Sequence, residues 1–161
     1  MKTKKLTLCA ILSALAIVFG YIETLIGTPV MIPGVKWGLG NIVVLLALYK
    51  LDKRYAFLIM FIKVITSSAL FGSPSVFIYS LCGGALSFFV MVLLKKWNFH
   101  IVSVSIGGGI SHNIGQLVCA SIMMRTVTVF SYLPVLIVFG AVSAVVTGML
   151  AKIILKRLSN G

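Results

Sequence analysis

Apolar residues fall into six segments along the chain, roughly Leu6–Ile26, Trp37–Leu48, Tyr55–Phe71, Ser75–Leu94, Ile101–Met124 and Tyr132–Leu155. Five of them approach the length that a membrane-crossing helix needs, about 20 residues with a lower limit of about 17. The second is the odd one. Its twelve residues make a helix of roughly 18 Å, against about 30 Å of hydrocarbon. It cannot span alone. The connection before it, Gly27-Thr28-Pro29-Val30-Met31-Ile32-Pro33-Gly34-Val35-Lys36, is apolar, but its prolines and glycines break helix. Irregular backbone is not tolerated against lipid, so this stretch must pack on protein or line water. It is expected to dip into the outer leaflet and cover a cavity, since short Gly/Pro-interrupted segments mark binding sites in transporters. A plain surface loop, with the helix starting earlier, is the other reading.

The fifth segment carries a polar stripe. His112 and Gln116 are four apart, and Asn113 and Gln116 are three apart, so all three point to roughly one side of a helix. Ser105, Gly109 and Ala120 extend that side. An amide or imidazole buried in hydrocarbon without partners costs several kcal/mol. The stripe therefore faces protein, water or a ligand. Two readings stand: glue between helices, or a binding site lined by His112, Asn113 and Gln116.

Composition agrees with the segments. Of 161 residues, 60% are hydrophobic and 10% charged, where a soluble domain carries roughly 25% charged. The expected fold is a single all-α transmembrane domain over residues 1–161, in a cell (cytoplasmic) membrane and multi-pass. The formal charge is +12, but the basic residues cluster at segment ends, which is a topology signal and not a nucleic-acid footprint. Lys2, Lys4, Lys5, Lys50, Lys53, Arg54, Lys95, Lys96, Lys152, Lys156 and Arg157 are eleven of the fourteen. With six spans and a cytoplasmic N-terminus, all eleven lie inside and both termini are cytoplasmic. The first segment resembles a signal peptide but runs on to about Ile26 without a small-x-small cleavage site, and is read as a retained helix. Cys9, Cys82 and Cys119 fall in three different segments and are read as small core residues.

Three basic residues remain outside that topology: Lys36, Lys63 and Arg125. Lys63 is near the middle of the third segment, where a lysine costs about 2.5–3.5 kcal/mol on insertion scales and is expected to be functional or paired. Thr66 and Ser67 share its face. The acids are Asp52, in a basic link, and Glu23, near the outer end of segment one. A Glu23–Lys63 ion pair is the bland account of Lys63. Even so, Lys36, Lys63 and Arg125 outnumber Glu23 by two charges, a surplus suited to an anionic or phosphate-bearing ligand. Trp37, Trp97 and Tyr132 sit where interfacial aromatic belts fall. Tyr79 has Gly83 one turn on, which leaves room beside its ring. In segment one, Ala10 and Ala14 have the spacing that lets another helix approach closely. Gly140, Ala141, Ala144, Gly148 and Ala151 make a similar stripe in segment six, read as internal packing.

Several chemistries lack their groups. Polyprenyl synthesis like that of known synthases needs Asp-rich motifs holding Mg²⁺ around a diphosphate, and Asp52 is the sole aspartate. Glu23 and Asp52 are too separated for an acid/base pair. No Ser-His-Asp order, metal-ligand cluster or Walker motif is present. His100 and His112 belong to different depths, which disfavours a bis-His haem. No catalytic residue and no metal are expected, and the chain is not expected to be an enzyme.

Four blocks carry a family resemblance: Ile32-Pro-Gly-Val-Lys-Trp-Gly-Leu-Gly-Asn41, Leu70-Phe-Gly-Ser73, Tyr79-Ser-Leu-Cys-Gly-Gly84 and His112-Asn-Ile-Gly-Gln116. They resemble the Gx transporter family, also labelled heptaprenyl diphosphate synthase component I. Its size, six spans and Ala10/Ala14 pattern in turn resemble the S components of energy-coupling factor (ECF) vitamin transporters. That resemblance implies a subunit that captures a ligand from outside and docks through helix one onto an ECF T component carrying ATPase subunits. The expected ligand is small, vitamin-like, flavin or isoprenoid-linked, and anionic. Lys36 and Lys63 would supply charge; Asn41, Ser67, Tyr79, His112, Asn113 and Gln116 would complete the site; Ala10 and Ala14 would dock the partner. The rivals are a membrane subunit of a flavin/quinone-linked extracytosolic electron-transfer system, with flavin or quinone bound, and a non-catalytic membrane anchor for a prenyl diphosphate synthase.

Overall fold

A computed structural model describes residues 2–26 and 38–159. Its elements in chain order are α1 (Lys2–Ile26), α2 (Leu39–Lys50), α3 (Lys53–Phe71), α4 (Pro74–Lys96), α5 (Ile101–Met124), a short 3₁₀ turn (Thr128–Tyr132) and α6 (Leu133–Ser159). The predicted segments correspond to the six α-helices. α1 starts four residues earlier and α6 ends four later than expected, because the lysines there continue the helix past the apolar run. The connection Gly27–Lys36, its proposed covering role, and Trp37 lie outside the described residues.

α2 is the centre. Every residue from Ile42 to Leu48 is buried. A helix apolar on all faces has no side to give to solvent and needs a full jacket. α1, α3 and α6 pack on it directly. Met91 of α4 and Val104 of α5 join the same core. Around α2, α1 packs on α3, α3 on α4, α4 on α5 and α5 on α6. The short second segment is thus enclosed by longer helices.

The outer faces of the jacket are apolar. Leu25, Phe89, Ile122 and Val127 are each more than 60% exposed. So broad an exposed apolar surface is a lipid or partner surface. Among the described residues, three stretches are long and apolar enough to cross a membrane: Thr3–Glu23, Pro74–Lys96 and Thr128–Leu158. α3 is less apolar because it carries Lys53, Arg54 and Lys63, and α5 because it carries the polar stripe.

Small residues set the spacing of α4, α5 and α6. A Cβ on Gly83 would lie 2.7 Å from the His112 carbonyl oxygen, and one on Gly115 would lie 3.0 Å from the Cys82 oxygen. α5 meets α6 in the same way, with a Cβ on Gly109 falling 2.9 Å from the Gly140 oxygen. Such approach is available only to glycine. Ser73 starts α4, its Oγ accepting from the Val76 N–H at 3.4 Å with Pro74 in the first turn.

One end of the bundle is basic. Lys50 Nζ donates to the Leu158 carbonyl at 2.9 Å, and Lys95 Nζ donates to the Leu48 carbonyl while lying 4.8 Å from the centre of the Tyr49 ring. Both cations satisfy carbonyls that a helix C-terminus leaves without partners. Lys5 Nζ donates to Asp52 Oδ2 at 2.8 Å. That hydrogen bond and the lysine's charge hold the Asp52 carboxyl below its ordinary range. Its stabilising effect is therefore present above the usual carboxylate range and fades as pH falls through the depressed value; both side chains are exposed, so the effect is small.

Replacing Gly83 with Val wedges α4 from α5. The expected cost is about 1–3 kcal/mol, the range for overpacking, read as a lower thermal unfolding midpoint in detergent. Val142→Ala, on the exposed face of α6, should leave the midpoint in place.

Candidate functional site

Opposite the basic end, chain direction and charge combine at the start of α2. Gly38 takes φ +74°, a left-handed turn that suits glycine, and delivers the chain into the helix. The Leu39 N–H, in the first turn, donates to Glu23 Oε1 at 2.6 Å. A helix N-terminus leaves N–H groups without partners and carries partial positive charge, so a buried carboxylate is stabilised there. Glu23 is 7% exposed. The bond ties the end of α1 to the start of α2.

Lys63 approaches from α3. Its stem crosses α2 at Gly40, where a Cβ would lie 2.5 Å from Lys63 Cε. Only the absent side chain leaves that path clear. The ammonium then donates to Asn41 Oδ1 at 2.8 Å. From α5 come His112 and Asn113, and from α6 Gly140 and Ser143. Together these line a hollow of about 30 Å³ with Glu23, Gly38, Asn41, Lys63 and Gly109. A carboxylate, an ammonium, an imidazole, two amides and a hydroxyl thus face one small space inside an apolar bundle.

The polar stripe on α5 is split between two neighbours. Ser105, Gly109 and Asn113 face α6: Ser105 Oγ donates to the Ala144 carbonyl at 2.7 Å, and Asn113 Nδ2 donates to the Leu136 carbonyl at 2.7 Å. Gly140 makes room for that amide, for a Cβ there would collide with Asn113 Nδ2. His112 and Gln116 face α4 across Gly83. Both readings of the stripe thus have a part: Asn113 binds one helix to another and also lines the hollow.

Among the sequence-predicted site residues, Asn41, Lys63, His112 and Asn113 are brought together. Gln116 is buried, with its Cγ over Gly83 and its Oε1 lacking a hydrogen-bond partner, but it is not part of the hollow's lining. Ser67 turns to α1, its buried Oγ 3.0 Å from where a Cβ of Gly20 would stand. Tyr79 is half-buried on α4, apart from the lining. Lys36 lies outside the described residues. Ala10 and Ala14 are exposed on the face of α1 turned away from α2 and α3.

Arg125 caps α5 on the surface and is not part of the hollow's lining; that lining, as described, holds one lysine and one glutamate, and Lys36 lies outside the described residues. The hollow is also too small in this conformation for a vitamin. Small-molecule sites occupy about 300–1,000 Å³, and about 30 Å³ admits only water. Sequence reasoning missed Gly38, Gly40, Gly140 and Ser143. Their signal was small residues next to polar ones; of the four, Gly140 was read as helix packing.

The fold and this hollow define an all-helical membrane protein with a polar interior. The chain belongs to the heptaprenyl diphosphate synthase component I family, whose sequence model matches residues 12–154. No curated protein and no solved structure matches it.

Asn41→Ala removes the partner that Lys63 reaches across Gly40. Hydrogen bonds to charged groups are worth about 1.5–3 kcal/mol net, and a loss of that order should appear in thermal unfolding. Asn41→Asp, which keeps an acceptor, should restore most of it.

Proposed function

We propose that the chain is a non-enzymatic membrane subunit that captures a small polar molecule from the side of the membrane opposite its basic end. The observation that carries this reading is the convergence of Lys63, Asn41, His112 and Asn113 on one interior hollow. Intramembrane ionisable groups are costly, and a cluster of them facing one space is what a binding site requires. The basic end is cytoplasmic by the positive-inside rule, which makes the six helices a six-span bundle with both termini inside the cell.

Capture requires opening, since the hollow now holds no more than water. The place to open is the Glu23–Leu39 bond, which joins α1 to α2 beside it. Energy for transport comes from partners, as in an S component of an ECF transporter. The exposed Ala10 and Ala14 face is the docking surface for a T component. The ligand in this reading is small and anionic: vitamin-like, flavin or isoprenoid-linked.

The family's description favours a second reading, a non-catalytic membrane component of a prenyl diphosphate synthase. The sole aspartate, Asp52, stands at the surface beside Lys5, far from the diphosphate-binding clusters such catalysis needs. Affinity purification separates the two: ATPase subunits accompany a transporter, and a soluble prenyl synthase accompanies an anchor.

The direct test is native mass spectrometry of gently solubilised protein. A small polar molecule should co-purify with the wild type, and Lys63→Ala should lose it by tenfold or more in affinity, about 1.4 kcal/mol, while still folding. Equal retention by Lys63→Ala, or no bound molecule from cells grown in rich medium, overturns the capture reading. Ala14→Trp should abolish uptake and spare binding; uptake that survives it removes the docking face.

A further inference from the structure

A second hollow adjoins the first. It also measures about 30 Å³ and shares Gly38, Asn41, Gly109 and Ser143 with its neighbour. Its other polar lining is hydroxyl: Ser87 from α4, Ser105 from α5 and Thr147 from α6. Ser105 lies four residues from the start of α5, about 6 Å along the axis. Glu23 lies three residues from the end of α1. The two hollows together reach from the far end of the bundle into its basic-end third.

We infer that they form one hydrated seam, a built site for ordered water between α2, α4, α5 and α6. Each hollow exceeds the roughly 10–15 Å³ that one water needs. The hydroxyls are set to receive it. Ser105 and Thr147 both donate to the Ala144 carbonyl, at 2.7 and 3.1 Å, and Ser143 donates to the Gly140 carbonyl at 3.2 Å. The Ser105 and Thr147 oxygens are also 3.1 Å apart and one can donate to the other; in either arrangement the hydroxyl hydrogens stay within the protein and lone pairs remain to accept from water. Asn41 accepts from Lys63 through Oδ1, which leaves its Nδ2 to donate. The Lys63 ammonium next door disfavours a metal cation and favours neutral water.

Toward the basic end, the helices that line the seam continue with Leu48, Val104 and Ala151, each no more than 1% exposed. The seam is thus hydrated where its hydroxyls face it and gives way to a dry apolar plug. A polar molecule entering at Lys63 would find a path inward already solvated, with only the plug to part. The inference on water stands without the capture reading, because its test uses no ligand.

Two methionines provide the test. Met91 and Met60 are both 4% exposed. Each sulfur rests on a glycine, Met91 on Gly108 and Met60 on Gly84. Met91 lines the second hollow; Met60 lines neither. Hydroxyl radicals generated by X-ray radiolysis of water oxidise methionine to the sulfoxide where water lies beside the sulfur. In the full-length protein in detergent, Met91 should be oxidised several-fold faster than Met60, read by mass spectrometry of peptides. Thr147→Val combined with Ser87→Ala should bring Met91 down to the rate of Met60. Equal slow rates in the wild type overturn the seam, as do equal fast rates, which would mean general opening of the bundle. A Met91 rate unchanged by the double substitution also overturns it, since the water would not then be held by these hydroxyls.

Discussion

The bond from Lys63 to Asn41 is the constraint around which the interior is arranged. An ammonium in the middle of an apolar bundle must find its hydrogen-bond acceptors inside the protein. The nearest helix is α2, and its backbone lies in the way. Gly40 removes the obstacle, and Asn41, the next residue, supplies the oxygen. Two adjacent positions on one short helix thus settle where a charge from α3 can rest. α2 can hold them in place because the rest of its length is buried on every side. A helix loosely seated at its far end would not fix an amide to within a hydrogen bond.

The same economy applies to α5. Its polar side chains cost free energy unless satisfied, and they turn in two directions. Ser105 and Asn113 hold α6, while His112 and Gln116 are pressed against α4 at Gly83. The packing that binds three helices together is also what leaves small polar hollows between them. Cohesion and chemistry are not competing explanations of that stripe; different residues on adjoining faces carry each, and Asn113 carries both.

Much of the fold was legible because lipid and protein reward the same apolar runs: six runs, six helices. The short second run was recognisable as unable to span, but not as the centre, since its burial depends on helices far away in sequence. Lys63 and the stripe were legible as expensive groups. Their partners were less so. A Glu23–Lys63 ion pair was the bland alternative for Lys63, whereas Glu23 Oε1 takes the Leu39 N–H, an interaction made by backbone that no side-chain pattern announces. Gly140 read as a packing residue and Gly40 only as part of a family block; their role in clearing a path for one particular polar group depends on which helix crosses there. The charge surplus was a count along the chain; Arg125 sits on the surface at the end of α5 and drops out of it once position is known.

Sixteen positions separate Glu23 from Leu39, yet their atoms meet at 2.6 Å. The bond closes the chain on itself at that point. A tether closed in this way changes its closing entropy only with the logarithm of its length, about 0.6 kcal/mol for each doubling. Insertions or deletions between the two residues would barely register in the helices behind them. The register of α1 on α2 is thus set by the bond itself and not by the length of chain that it closes.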